Sequence, residues 1–303
     1  MLKRVAAIDL GTNSFLCLIA EVEDGHIVNI LHDTAQIVRL GQDVGQTKKF
    51  HPEALQRADD CLKEFSKIIK KQKPTQVLAM ATAVARIVAN TDDLFAIGKK
   101  YDIPIQIIPG EKEAQITFQG AVSAYPDDDV SRIIIDIGGG STELIRGIGR
   151  KFEYGESIGI GAVICTEDFI SEQPVSDIEG RALEKYLREK LEPVVAKMLV
   201  KKVDQLIAVA GTPTELAKIE IGKFDAKKID GFKITLAQLQ RYEDLFSNSS
   251  TLEKIQQLHV SDGRADIIYA GSMILRLVVE LLGHNHIFVS TRGVRYGIAL
   301  EMQ

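Results

Sequence analysis

At 303 residues, with 45% hydrophobic and 26% charged side chains, the chain has the composition of an ordinary globular protein and the length of two domains. A formal net charge of −5 argues against a general nucleic-acid binder, which needs basic residues to neutralise phosphates, but leaves room for an anionic ligand in a local pocket. Cys17, Cys61 and Cys165 are odd in number and far apart, as expected of reduced core residues rather than a disulfide framework, and no apolar run approaches membrane-spanning length.

The first predicted element is a strand from Val5 to Leu10, interrupted by Asp9. It is too short for a secretory signal, so a reducing, cytoplasmic address is expected, with no membrane partner. A tight turn follows at Gly11, Thr12, Asn13 and Ser14, and then a second apolar strand. Leu55, Ala58, Cys61, Leu62, Phe65, Ile68 and Ile69 recur at helical spacing and predict an amphipathic helix. Lys67, Lys70, Lys71 and Lys73 cluster at its end, where cations suit the helix dipole. Gln76–Thr82 reads as a strand running into a loop, and Ile105–Gly110 as a strand entering a helix that carries Glu113. Pro126, Asp127, Asp128 and Asp129 predict a turn between two domains, 1–125 and 126–303.

Beyond that turn, Arg132 to Asp136 is again a β-branched strand ending in Asp. A turn of Gly138, Gly139, Gly140, Ser141 and Thr142 follows, then Glu143 and another apolar run. Ser176 with Glu179 has the capping-box form and opens a helix with Leu183, Leu187, Leu191 and Val194 on one stripe. The cations Lys197, Lys201 and Lys202 close it. Gln205–Gly211 is a strand into a loop, Thr235 with Gln238 begins a further helix, and a long apolar helix is predicted from Arg264 to Leu282, stopped by Gly283. His284 and His286 have no third ligand nearby in sequence. Ile287–Gly293 is the last predicted strand.

These elements repeat. Asp9 aligns with Asp136, Gly11 with Gly138 and Ser14 with Ser141; Gln76–Thr82 is echoed by Gln205–Gly211, and Ile105–Gly110 by Ile287–Gly293. Matches in register order indicate internal duplication, giving two halves, each a mixed sheet flanked by helices, facing one another across a cleft. Gly-rich turns let backbone N–H groups approach phosphate oxygens, so two such loops would clamp a chain of phosphates; a plain β-turn is the other reading of each. Asp9 and Asp136 stand at strand ends where carboxylates hold Mg²⁺, and Glu143 could join them; hydrogen bonding to loop amides is the alternative.

The blocks Asp9–Ser14, Ile135–Leu144 and Gly110–Ala114 resemble the exopolyphosphatase and guanosine pentaphosphate phosphatase (Ppx/GppA) family. Thr82 with Arg86, Ala210 to Thr214, Arg264 with Asp266 and Gly271, and Gly293 to Gly297 extend the resemblance over almost the whole chain. It implies an α/β fold of two duplicated actin-like (ribonuclease H-like) ATPase-superfold domains with an interdomain active-site cleft. Glu113 matches the family's catalytic glutamate, which activates the attacking water. Phosphates would be bound by Gly11, Thr12, Asn13, Ser14, Gly138, Gly139, Gly140, Ser141 and Thr142, by a third loop at Gly211 and Thr212, and by Arg86 and Arg264. Asp9, Asp136 and Glu143 would carry the Mg²⁺ dependence. The substrates implied are polyphosphate or guanosine penta- and tetraphosphates, and the assembly implied is a homodimer. The length matches the short form of the family, which favours short chains or the guanosine substrate. Two other readings remain open: a kinase or ATPase of the same superfold, and a non-catalytic nucleotide- or polyphosphate-binding regulator.

Overall fold

In the computed structural model, which describes residues 1–302, the chain divides into two units. The first comprises Met1–Tyr125 and the segment beginning at Gly293; the second is Pro126–Arg292.

The first unit opens with three strands, β1 (Lys3–Leu10), β2 (Ser14–Glu23) and β3 (His26–Ile37). The short helix α1 (Val44–Thr47) and the long helix α2 (Pro52–Gln72) follow, then β4 (Gln76–Ala81) and a 3₁₀ turn at Ala83–Arg86. Helix α3 (Thr91–Lys100), strand β5 (Ile105–Ile107) and helix α4 (Gly110–Val122) complete this part. The sheet order is β3-β2-β1-β4-β5, antiparallel through β1–β3 and parallel through β1, β4 and β5. β1 reads as a continuous apolar run because both its faces are covered. Its even residues Ala6, Ile8 and Leu10 share a core with Ala58, Leu62 and Phe65 of α2. Its odd residues Val5 and Ala7 share another with Ile116 of α4. Pro52 at the first position of α2, Glu53 in its first turn and Lys70 and Lys71 in its last fit the termini of a helix.

The second unit repeats the plan with β6 (Ser131–Ile137), β7 (Thr142–Ile148) and β8 (Lys151–Ile158), then α5 (Ala162–Phe169) and α6 (Asp177–Met198). Next come β9 (Gln205–Val209), α7 (Gly211–Ile221), α8 (Ala226–Ile229), β10 (Lys233–Thr235), α9 (Leu236–Ser247) and α10 (Thr251–Gln256). A 3₁₀ turn at Asp262–Arg264 leads to α11 (Ile268–Leu281) and β11 (His286–Val289). The order β10-β11-β9-β6-β7-β8 contains the order of the first sheet, with β10 added beyond β11. The expected duplication, two halves each a mixed sheet flanked by helices, follows from that shared order. Ile133, Ile135 and Ile137 of β6 join Leu183, Leu187 and Leu191 of α6 in one core. The capping boxes at Ser176 and Thr235 are both formed. The helix expected from Arg264 instead begins at Ile268, because the preceding residues form their own turn, with the Arg264 N–H on the Ser261 carbonyl. Gly283, at φ +70°, closes it as the left-handed residue that glycine tolerates.

The last helix, α12 (Val294–Glu301), packs on α4, β1 and β2. The expected division placed 293–303 in the second domain; its contacts assign the segment to the first. A Cβ on Gly120 would stand 2.2 Å from the Gly293 carbonyl oxygen, and one on Gly297 would stand 2.0 Å from that of Ile116. The glycines let the two backbones touch. Arg295 holds Asp33 of β3 at 2.7 and 3.0 Å, and the Tyr296 hydroxyl donates to the same carboxylate. Cys17, Cys61 and Cys165 are free and buried, and burial pushes each thiol up to about 12. Among the described residues no helix is long and apolar enough to cross a membrane.

Candidate active site

The two glycine turns are built alike. Gly11 N–H donates to the Ser14 carbonyl at 3.1 Å, and Gly138 N–H to that of Ser141 at 2.9 Å, closing a hairpin over two residues in each unit. A Cβ would lie 2.9 Å from the Ser14 oxygen at Gly11, which therefore needs a residue without one, and 3.2 Å from the Ser141 oxygen at Gly138, where the fit is tight. The chain after the third strand of each unit then braces the turn from behind. Val38 and Arg39 donate to the Asn13 carbonyl and Gly41 to that of Thr12; Ala162 donates to Gly138, and Val163 and Ile164 to Gly139. The loop carbonyls are thus occupied, whereas no described residue accepts from the N–H groups of Thr12, Asn13, Gly139 or Gly140. The Asn13 Nδ2 is likewise buried without a partner. Unpaired donors gathered on a tight turn suit an anion.

Not every expected donor faces the loop. The Ser141 hydroxyl donates to Glu143 Oε1 at 2.7 Å, and the Ser157 hydroxyl reaches the same oxygen at 2.6 Å. Thr142, expected among the phosphate donors, is fully buried, and its hydroxyl donates to the Ile160 carbonyl at 2.7 Å, which ties the start of β7 to the segment after β8.

Asp136 and Glu143 are Cα partners across β6 and β7, so both buried carboxylates lie on one face of the sheet. A divalent cation there would offset their mutual repulsion. Among the described residues no group of three or more His, Cys, Asp or Glu side chains forms a metal site, His284 and His286 included. A pair of carboxylates with the remaining positions left to water and phosphate is nonetheless the habit of Mg²⁺. The residues fit that ion. Asp9 holds the matching position in the first unit, beside Met80 of β4.

Glu113 and Arg86 are brought together. Pro109 and Gly110 turn the chain from β5 into α4, which places Glu113 in the first helical turn with only 5% of its surface exposed. Arg86 ends the 3₁₀ turn after β4; its Nη1 donates to the Ile108 carbonyl at 3.1 Å and to Glu113 Oε2 at 2.5 Å. Burial raises the Glu113 carboxyl above the usual glutamate range, and the Arg86 charge and hydrogen bond pull it back only in part. Glu111, two residues earlier, is exposed.

In the second unit, Arg264 lies over Gly211: a Cβ on that glycine would fall 1.7 Å from Arg264 Nη1. Thr212 is buried, and a Cβ on Gly271 of α11 would stand 2.4 Å from its Oγ1. Sequence reasoning missed Glu215, a buried carboxylate one turn into α7. It accepts from Lys218 Nζ at 2.8 Å and from the Ser261 N–H at 2.7 Å, and lies 3.9 Å from Arg264 Nε. Its spacing from Gly211 equals that of Arg86 from Thr82, a signal legible only once the duplication is taken seriously.

The model of the Ppx/GppA phosphatase family matches residues 18–303. A curated relative, Exopolyphosphatase 2 of Mycobacterium tuberculosis, is 31% identical over 99% of both chains. The crystal structure of an exopolyphosphatase from Cytophaga hutchinsonii superposes with a TM-score of 0.90 at 27% identity, over 99% of this chain and 97% of that one. A crystallised Ppx/GppA family member of Aquifex aeolicus gives 0.83 at 28% identity, over 100% and 98% of the two chains.

Proposed function

Since the chain belongs to the Ppx/GppA phosphatase family and is a phosphohydrolase, we propose that it releases terminal phosphate from inorganic polyphosphate, with Glu113 as general base. The observation that carries this is the buried Glu113 carboxyl held by the half-buried Arg86. A carboxyl raised by burial becomes a stronger base near neutral pH, and the arginine fixes its orientation and favours its ionised form. Phosphoryl transfer asks for a water held in line more than for covalent help from the protein. In the proposed step that water gives a proton to Glu113 as its oxygen joins the terminal phosphorus, and the bond to the rest of the chain breaks.

The unpaired N–H groups of Thr12, Asn13, Gly139 and Gly140 bind phosphate oxygens, and Arg264 adds a cation. Asp136 and Glu143 are the residues of the second unit that would hold Mg²⁺, which when bound neutralises charge on the phosphates, and Asp9 is the corresponding carboxylate of the first unit. Guanosine pentaphosphate is a second proposed substrate, because it presents a terminal phosphate of the same chemistry.

The test is phosphate release from polyphosphates of graded length and from guanosine pentaphosphate, by the native protein and by Glu113→Gln. The variant keeps the size and helical position of the side chain, so it should fold and bind while kcat falls by about 10²-fold or more. Glu111→Gln, at an exposed site, should change little. Near-native turnover in Glu113→Gln would remove the glutamate from the mechanism.

A further inference from the structure

The registers of the two sheets fix which residues of the units correspond. Asp9 pairs with Met80 and Asp136 with Val209, so Ala81 matches Ala210, Thr82 matches Gly211, and Arg86 matches Glu215. One position of the duplicated fold therefore carries opposite charges. In the first unit it is an arginine that reaches a buried glutamate, Glu113. In the second it is the buried glutamate itself, and the neighbouring arginine, Arg264, comes from the turn before α11.

Glu215 organises that turn. Besides the Ser261 N–H and Lys218 Nζ, it accepts from the Ser261 hydroxyl at 3.1 Å. Lys218 also donates to the His259 carbonyl at 3.0 Å and to Ser261 Oγ at 2.9 Å. Arg264 N–H closes the chain of bonds on the Ser261 carbonyl at 2.9 Å. The segment from His259 to Arg264 is thus pinned to α7 through one carboxylate and one lysine.

The guanidinium at the end of this support is differently placed. No described residue accepts a hydrogen bond from it, although only 20% of the side chain is exposed. Glu215 stands beside its Nε at a distance that favours the charge without occupying the terminal nitrogens, and those lie in the space left by the missing side chain of Gly211. A largely buried guanidinium with unused donors is costly unless an anion completes it. With Lys218 and Arg264 set against one carboxylate, the cluster keeps a net positive charge.

We propose that Glu215 is a positioning residue that holds the Arg264 guanidinium over the Gly211–Thr212 turn, with its terminal nitrogens kept for a phosphate oxygen of the substrate. The duplicated position thereby serves proton transfer in one unit and anion binding in the other. The inference rests on the reading above that Arg264 binds phosphate.

The test is a double-mutant cycle read as KM and kcat for a medium-chain polyphosphate in Mg²⁺. Arg264→Ala and Glu215→Gln should each raise KM about tenfold with kcat nearly unchanged, and the double variant should be no worse than Arg264→Ala alone. A KM penalty for Glu215→Gln that persists at full size in the Arg264→Ala background would overturn the positioning role, as would an unchanged KM with Arg264 intact. An unchanged KM in Arg264→Ala would instead refute the phosphate-binding reading of Arg264, and this inference with it. Where Glu215→Gln fails to fold, Ser261→Ala removes two side-chain bonds of the same support, to Glu215 and from Lys218; it should raise KM by a smaller factor, and only when Arg264 is present. A KM rise for Ser261→Ala in both backgrounds would overturn the proposal.

Discussion

Glu113 lies under two opposed influences, burial raising its pKa and Arg86 lowering it, and they can be separated by mutation. Arg86→Gln removes the lowering influence, so the carboxyl should titrate at still higher pH. A general base works ionised; hence the acidic limb of kcat/KM should move to higher pH and the rate on that limb should fall. A pH–rate profile that stays in place or shifts the other way would contradict the pairing. Linkage has the matching sign. Because the folded-state pKa is raised, this group's stabilising contribution is present at low pH and lost as pH rises through the folded value. Which site residues the sequence disclosed follows from what makes them special. Gly11, Gly138 and Glu113 stand in local patterns, and a turn or a first helical turn is a local affair. The bond from the Thr142 hydroxyl to the Ile160 carbonyl was not legible, because it depends on how the chain runs back beside β7, 18 residues on. Glu215 stayed hidden because a charge inversion breaks the repeat at the one position where it matters.

Among the elements, the crossing of α4 and α12 is the most sharply constrained. A Cβ at Gly297 would meet the Ile116 carbonyl, a backbone atom with nowhere to go. Gly297→Ala should therefore destabilise the protein by about 2 kcal/mol, as overpacking does. Gly159→Ala, where no atom lies within 4 Å of the new carbon, is the control and should change little. Denaturant unfolding checks both; equal midpoints would mean the crossing tolerates a side chain. Helix starts at Ser176 and Thr235 were legible because a capping box is closed within four residues. The start of α11 was not, because the residues from Arg264 are drawn into a turn by Glu215, far away in sequence.

For the molecule as a whole, duplication was readable from three blocks in matching order, and the shared strand order repeats it. The allegiance of α12 was not. It follows β11 directly, and its tertiary contacts, the fit of Gly297 on Ile116 and the Arg295–Asp33 pair among them, assign it to the first unit. A fragment 126–292 should accordingly fold alone. A fragment 1–125 lacks Val294, Tyr296, Ile298 and Ala299, which cover Val5, Ala7 and Ile116, and should lack a cooperative melt. Joining residue 125 to 293 by a short linker should restore the melt, as circular dichroism would show. A cooperative melt for 1–125 alone would refute the dependence.

The same arrangement sets an order of events on the ribosome. The second unit is one uninterrupted stretch and can close as soon as it emerges, but the first unit waits for a helix made after the second. At ordinary elongation rates the face of β1 and α4 that α12 covers stays bare for about ten seconds or more while the second unit is synthesised. The half that is made first is the half that finishes last, and its uncovered face is where a nascent-chain chaperone would find its longest-lived target.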